Sequence, residues 1–284
     1  MYRTLARIGL LFALSALPGC AKAEIRETKS MAEALSTVDQ DTLLVLDTDN
    51  TLTKTKQMLG GEAWVPYVLK SRAQCGVEAG LSEDEANARG FTGAKPVWET
   101  IQTRGFIEPV EPGTPALLKS LQARGVKMMV LSGAVADFLE GRKQALGHVG
   151  IAIDQSAPVS GTVVVAENVV YKQGIMLTSF SDKGDALVAF FDKTGYRPKR
   201  VVFVDDYPKF NQQIHRALTA ARIEHLAYRY GAADSTHADF DPKIAEIQLE
   251  TFLASGAVLS DAQARELLSA GRTPARPPVL CPAR

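Results

Sequence analysis

The stretch Leu43-Leu44-Val45-Leu46-Asp47-Thr48-Asp49-Asn50-Thr51-Leu52-Thr53 decides the fold. Four consecutive apolar residues, bounded at once by acidic and turn-forming ones, predict a buried strand ending in a loop. Asp47 and Asp49 stand two apart at the strand's exit, with Thr51 two further on. In an open parallel sheet, ligands bind outside the carboxyl ends of the strands. The two carboxylates are therefore placed for chemistry rather than packing.

Working outward, residues 24–42 are polar and predict a short helix leading into this strand, which would be the first of the sheet. After Thr53 the pattern turns helical. Trp64, Tyr67, Val68 and Cys75 give residues 61–76 one apolar face. Ser82-Glu83-Asp84-Glu85 reads as a capping box opening a second helix, Gly90 as its end, and Lys95 to Arg104 as a third. This insertion, 54–106, directly follows the acidic loop. It reads either as a lid over the site or as ordinary packing helices. Trp64 and Tyr67 are candidates to touch substrate, although aromatics at helical spacing more often belong to a core.

The sheet resumes at a helix with Thr114 as cap, Pro115 in the first turn and Gly125 as stop. Val126 to Leu131 predicts a strand that ends in Ser132-Gly133, followed by a helix from Ala134 to Leu146. Residues 150–180 read as a small hairpin insertion. Asp182-Lys183-Gly184 opens the next helix. Val201-Val202-Phe203-Val204 is a further apolar strand, ending in Asp205-Asp206. A helix near 209–222, a strand near 225–229 and two helices within 241–270 complete the core, with Ser260 and Gln263 as a second capping box. Alternating strands and helices indicate a parallel sheet covered on its faces. The core is thus expected at 24–53 and 107–270, with a loose proline-rich tail at 271–284.

Of the 284 residues 46% are apolar and 23% charged, ordinary for a globular chain. Lys plus Arg and Asp plus Glu each number 32, so no basic excess points to nucleic acid. Residues 1–23 have the order of a secretory signal: Arg3 and Arg7, an apolar stretch from Ile8 to Leu17, then small residues. Two cleavages fit. Leu17-Pro18-Gly19-Cys20 resembles a lipoprotein box, which would tether the chain to a membrane through Cys20. Ala21-Lys22-Ala23 suits release before Glu24. In an oxidising compartment Cys75 and Cys281 are either a disulfide or two unrelated thiols.

Strand exits and helix starts thus carry Asp47 with Asp49, Ser132, Lys183, and Asp205 with Asp206. Phosphoryl transfer needs this inventory: a nucleophilic carboxylate, a second acid, a hydroxyl and an ammonium for the phosphoryl oxygens, and acids for a hard cation. The order and spacing resemble the haloacid dehalogenase-like hydrolase superfamily. Asp47-Thr48-Asp49-Asn50-Thr51 looks like its first motif, Val130-Leu131-Ser132-Gly133 its second, Lys183 its third and Val204-Asp205-Asp206 its fourth. Leu59-Gly60-Gly61-Glu62-Ala63-Trp64 and Asn211 fit an exported bacterial branch of largely uncharacterised function.

The resemblance implies an α/β fold: a Rossmannoid parallel sheet with helices on both faces and a small helical cap inserted after the first strand. It implies that Asp47 is nucleophile and Mg²⁺ ligand. Asp49 becomes acid/base and lends the metal its carbonyl. Thr51 steadies the loop, Ser132 with Gly133 and Lys183 bind the phosphoryl group, Asp205 ligates Mg²⁺, and Asp206 supports it. The activity expected is hydrolysis of a small phosphomonoester. The alternatives are phosphotransfer, as in a mutase, and a non-catalytic binding protein on the same fold. Taken singly the same residues have ordinary readings as turns, caps and surface charges. The four histidines (148, 215, 225, 237) show no ligand spacing and receive no role.

Overall fold

Apolar runs of four or five residues recur along the chain, and those at the centre become strands buried on both faces. The computed structural model describes residues 23–275, with backbone alone at 84, 87, 88, 90 and 91. The chain begins with β1 (Ala23–Thr28) and α1 (Met31–Leu35), then enters β2 (Thr42–Leu46), the strand that ends at Asp47. A short β3 (Thr53–Thr55) leads to α2 (Trp64–Glu78) and α3 (Glu83–Thr103), and β4 (Ile107–Pro109) returns beside β3. Next come α4 (Thr114–Ala123), β5 (Lys127–Ser132) and α5 (Leu139–His148). Three strands follow, β6 (Thr162–Ala166), β7 (Val169–Lys172) and β8 (Ile175–Leu177). The chain continues through α6 (Lys183–Thr194), β9 (Arg200–Asp205), α7 (Pro208–Ala220) and β10 (Glu224–Tyr230). It closes with α8 (Ser235–Ala238), α9 (Pro242–Ser255) and α10 (Asp261–Ser269).

The large sheet runs β1-β10-β9-β2-β5-β8-β7-β6. All pairs from β1 to β8 are parallel; the last two are antiparallel. Period-two alternation sends Leu44, Leu46, Val202 and Val204 into one hydrophobic cluster, and Leu43, Val45, Val201 and Phe203 into another. That is why the strands read as unbroken apolar runs: both faces are covered by helices. β2 is central, with β9 on one side and β5 on the other. The strand order reverses there, which opens a crevice at the carboxyl ends of the three strands.

The structure departs from the sequence reading in several places. Residues 24–42 hold β1 as well as a helix, so β2 is not the first strand. β1 is an edge strand with exposed Arg26 and Glu27, and such charges protect a sheet edge while hiding it from pattern reading. α3 runs unbroken through Gly90 and Pro96, because Ala94, Val97 and Ile101 bury one continuous face that outweighs the local breaking propensities. The helix read from Thr114 is capped by Gly113, with Thr114 inside it. The hairpin of 150–180 is no separate insertion: β8 pairs with β5, and β7 and β6 extend the sheet.

Finally, α9 and α10, grouped with the core by the sequence reading, pack on the inserted helices. Ile244, Ala245, Ile247, Leu249 and Ala264 share one cluster with Trp64, Val68, Val97 and Ile101. Buried Gln248 accepts from the Leu59 amide and donates to Asp261, tying the insertion to the C-terminal helices. Cys75 is disulfide-bonded. Cys281, Cys20 and the signal lie outside the described residues. Among the described residues no helix is long and apolar enough to cross a membrane.

His225, at the start of β10, is 2% exposed, and its Nε2 lies 3.0 Å from Nδ1 of His215 on α7. Burial holds His225 below its ordinary value of 6.5; a bond to the Ile223 carbonyl opposes this and His215 adds to it. The unfolded chain therefore takes up a proton at a pH where the folded one does not. The resulting stability is present above pH ~6.5 and is lost as pH falls through the folded value. Calorimetry from pH 7.5 to 5.5 should show a falling midpoint, with a shallower slope in His225→Gln.

Candidate active site

β2 delivers Asp47 to the crevice, 6% exposed, and its loop carries Asp49. The loop is closed locally: the Asn50 amide donates to Thr53 O, with Asn50 in the left-handed region at φ 57°, which asparagine tolerates well. The Thr51 hydroxyl accepts from the Asp206 amide at 3.1 Å, tying the exit of β2 to that of β9. β5 ends at buried Ser132, whose Oγ accepts from Thr48 at 3.1 Å. Lys183 opens α6, whose N-terminus Asp182 caps. Asp205 ends β9, and Asn211 of α7 donates to its carbonyl at 2.9 Å. Asp47, Asp49, Ser132, Gly133 and Lys183 line one cavity of about 490 Å³. Asp205 and Asp206 lie just behind, bonded or close to the same groups.

The insertion roofs this cavity. Trp64, Val65 and Leu69 of α2, with Ala94 and Trp98 of α3, form its apolar wall. Of the two readings of 54–106, the helices therefore lie over the site. Trp64 lines the cavity while also belonging to the core of the insertion; Tyr67 is not among the lining residues and packs against Phe240.

Lys183 is fully buried between two carboxylates. Its Nζ donates to Asp47 Oδ1 at 2.6 Å and to Asp205 Oδ2 at 2.7 Å, with the Phe210 ring 4.2 Å away. The sequence reading sets a divalent cation between these two acids; the structure sets the ammonium there. Burial alone would push the lysine down, but Asp205 and Asp47 hold it above its usual range. Asp205 also accepts from the Tyr207 amide at 2.8 Å. Among the described residues no lysine or arginine pairs with the Asp206 carboxylate.

Three residues the sequence reading left without a role join the site. Arg142 of α5, fully buried, donates to both oxygens of Asp49 at 3.1 and 2.7 Å, and packs against the paired Trp98 and Phe138 rings. The available signal was a cation on the apolar face of a helix, with Leu139 and Leu146 on the same side. Glu62 lines the cavity from the insertion, and His237 lines it from α8. Glu62 belongs to a stretch picked out by resemblance alone, and no spacing marks His237.

The site holds more negative than positive charge. Burial, then the neighbouring acids, push Asp47 up to about 7 against the pull of Lys183. Burial, then Asp47 and Asp205, push Asp206 up to about 9. Burial, then Asp206 and Asp49, hold Glu62 well above the usual carboxylate range. Burial raises Asp205 too, with Lys183 opposing. Oxygens of Asp47, Asp205 and Asp206 lie within 4.8 Å of one another, and Glu62 Oε2 is buried without a hydrogen-bond partner among the described residues. This donor set, all oxygen and over-anionic, could hold a hard divalent cation.

A parallel sheet reversing at β2, with acids at the exits of β2 and β9, a serine at that of β5 and a lysine at the start of α6, defines a doubly wound α/β fold of Rossmannoid type. Within it, the chain belongs to the family described as Protein of unknown function (DUF2608), whose profile matches residues 24–265. It is 25% identical over 215 residues to a Chlamydia pneumoniae protein named provisionally as an outer membrane protein, covering 75% of each chain. Among solved structures it is similar to a haloacid dehalogenase-like family hydrolase from Streptococcus pneumoniae, with TM-score 0.39 and 11% identity over 70% of this chain and 98% of that one. A HAD family hydrolase from Salmonella enterica serovar Typhi gives TM-score 0.36 and 16% identity over 67% of this chain and 68% of that one.

Proposed function

We propose that this protein is a phosphatase that hydrolyses small phosphomonoesters through an aspartyl-phosphate on Asp47, assisted by Mg²⁺. The observation that carries this is the convergence of Asp47, Asp49, Ser132 and Lys183, from three strand exits or loops and one helix start, on a single roofed cavity. A carboxylate oxygen of Asp47 attacks phosphorus as the ester P–O bond breaks, and the leaving oxygen takes a proton from the Asp49 carboxyl. A water molecule, losing its proton to Asp49, then attacks phosphorus. The bond to Asp47 breaks and phosphate leaves. Arg142, bonded to both Asp49 oxygens, orients that carboxylate for the proton it takes from water. Ser132 and Lys183 donate to the phosphoryl oxygens. Asp47, Asp205 and Asp206 would hold the metal, which when bound neutralises the charge that repels a phosphate ester.

The signal-like N-terminus and the name of the Chlamydia relative support an exported protein of the bacterial envelope. The cavity volume suits a small substrate. The test is phosphate release from a panel of aryl and alkyl phosphates. Release should stop with EDTA and return with excess Mg²⁺. No release from any phosphomonoester in Mg²⁺ would overturn the proposal.

A further inference from the structure

Glu62 is held in place with more care than a surface residue needs. Gly60, at φ 74°, lies so close to Ile101 that a Cβ would sit 2.8 Å from it, and a Cβ on Gly61 would sit 2.7 Å from the Thr55 hydroxyl. Only glycine permits that turn and approach. Gln57 donates to Leu59 O and Gln102 to Gly60 O, and Asp261 and Gln248 accept from the amides of Met58 and Leu59. The loop is thus fixed from both α3 and the C-terminal helices. It points Glu62 at Asp206, and Glu62 Oε2 is buried there with no hydrogen-bond partner among the described residues.

His237 approaches the same point from a third direction. Its helix α8 is fastened to the catalytic loop through Asn50, which donates to Thr236 Oγ1 at 2.9 Å. Ligand atoms of Glu62, Asp206 and His237 lie within 4.8 Å of one another. Asp206 is itself 94% buried, being 6% exposed, and among the described residues no lysine or arginine pairs with its carboxylate. Charge argues the same way. Asp47, Asp49, Glu62, Asp205 and Asp206 face one another around two buried cations, Lys183 and Arg142. With all five carboxylates ionised, as a bound cation favours, one divalent ion would leave this site negative before a phosphoryl dianion enters, and two would make it positive.

We propose that Glu62, Asp206 and His237 hold a second divalent cation, beside the one at Asp47 and Asp205 and sharing Asp206 with it. An imidazole with two carboxylates favours a transition ion such as Mn²⁺ over Mg²⁺. This site rests on the metal-assisted reading of the Asp47 centre for its neighbouring ion, while its own ligands are Glu62, Asp206 and His237. The experiment is titration of the full, metal-stripped chain with Mn²⁺ alone, followed by calorimetry and electron paramagnetic resonance.

Wild type should take two equivalents and show a spin-coupled signal. Glu62→Gln and His237→Asn, the latter on a short exposed helix where folding is not at risk, should each lose one equivalent and the coupling. Asp47→Asn should weaken only the other ion. One equivalent in wild type, or two in both site variants, would overturn the proposal. Two equivalents in wild type, with one lost in Glu62→Gln and both kept in Asp47→Asn, would keep this site and remove Asp47 from the ligands of the other ion.

Discussion

Asp47→Asn is expected to lower turnover of an aryl phosphate by at least about a thousandfold while the fold stays intact. An amide nitrogen or oxygen is a poor nucleophile, and the carboxylates bonded around Asp47 are engaged: Asp49 is held by Arg142, and Asp205 is fully buried against Lys183 and the Tyr207 amide. The substitution also removes one of several mutually repelling acids. Lys183 keeps its bond to Asp205, so the thermal midpoint should hold or rise. Phosphate release and a melting curve on the same preparation check both halves. Undiminished turnover would exclude the covalent route, whereas collapse of the midpoint would show that Asp47 is needed for folding.

Lys183→Met should have the largest effect on stability. The ammonium bridges two buried carboxylates whose side chains are 9% and 0% exposed. Removing it leaves them facing each other without the counter-charge that bridges them. Breaking a buried pair in this way costs about 3–5 kcal/mol, a midpoint drop on the order of 10 °C for a chain of this size. Melting in EDTA measures this directly. Adding Asp205→Asn to the same chain should restore part of the lost stability without restoring activity, because the excess charge is relieved while the phosphoryl ligand is still missing. An unchanged midpoint in the single variant would mean that the bridge contributes nothing to folding.

The strand ending at Asp47 was legible because its signal is local. An apolar run buried on both sheet faces and stopped by acids needs no distant partner to be recognised. The same holds for the exits at Ser132 and Asp205, the capping boxes at Ser82 and Ser260, and the cap of α6 at Asp182. β1 was not legible, since a charged edge strand lacks the apolar run. The continuity of α3 was hidden behind Gly90 and Pro96, whose local preferences lost to a buried face.

The amino-acid sequence by itself thus determined the parallel sheet, the elements that reach its carboxyl edge, and which acids stand there. Only the tertiary structure decided which charges meet. Asp49 finds Arg142 93 residues away, and Asp47 finds Lys183 across 136. Glu62 and His237 are brought to Asp206 by an inserted loop and a short helix with no common period. Periodicity records which face of an element is buried, but not which distant element covers it. The pairing of long charged side chains is settled only when packing closes the cavity and removes the water that would otherwise solvate them.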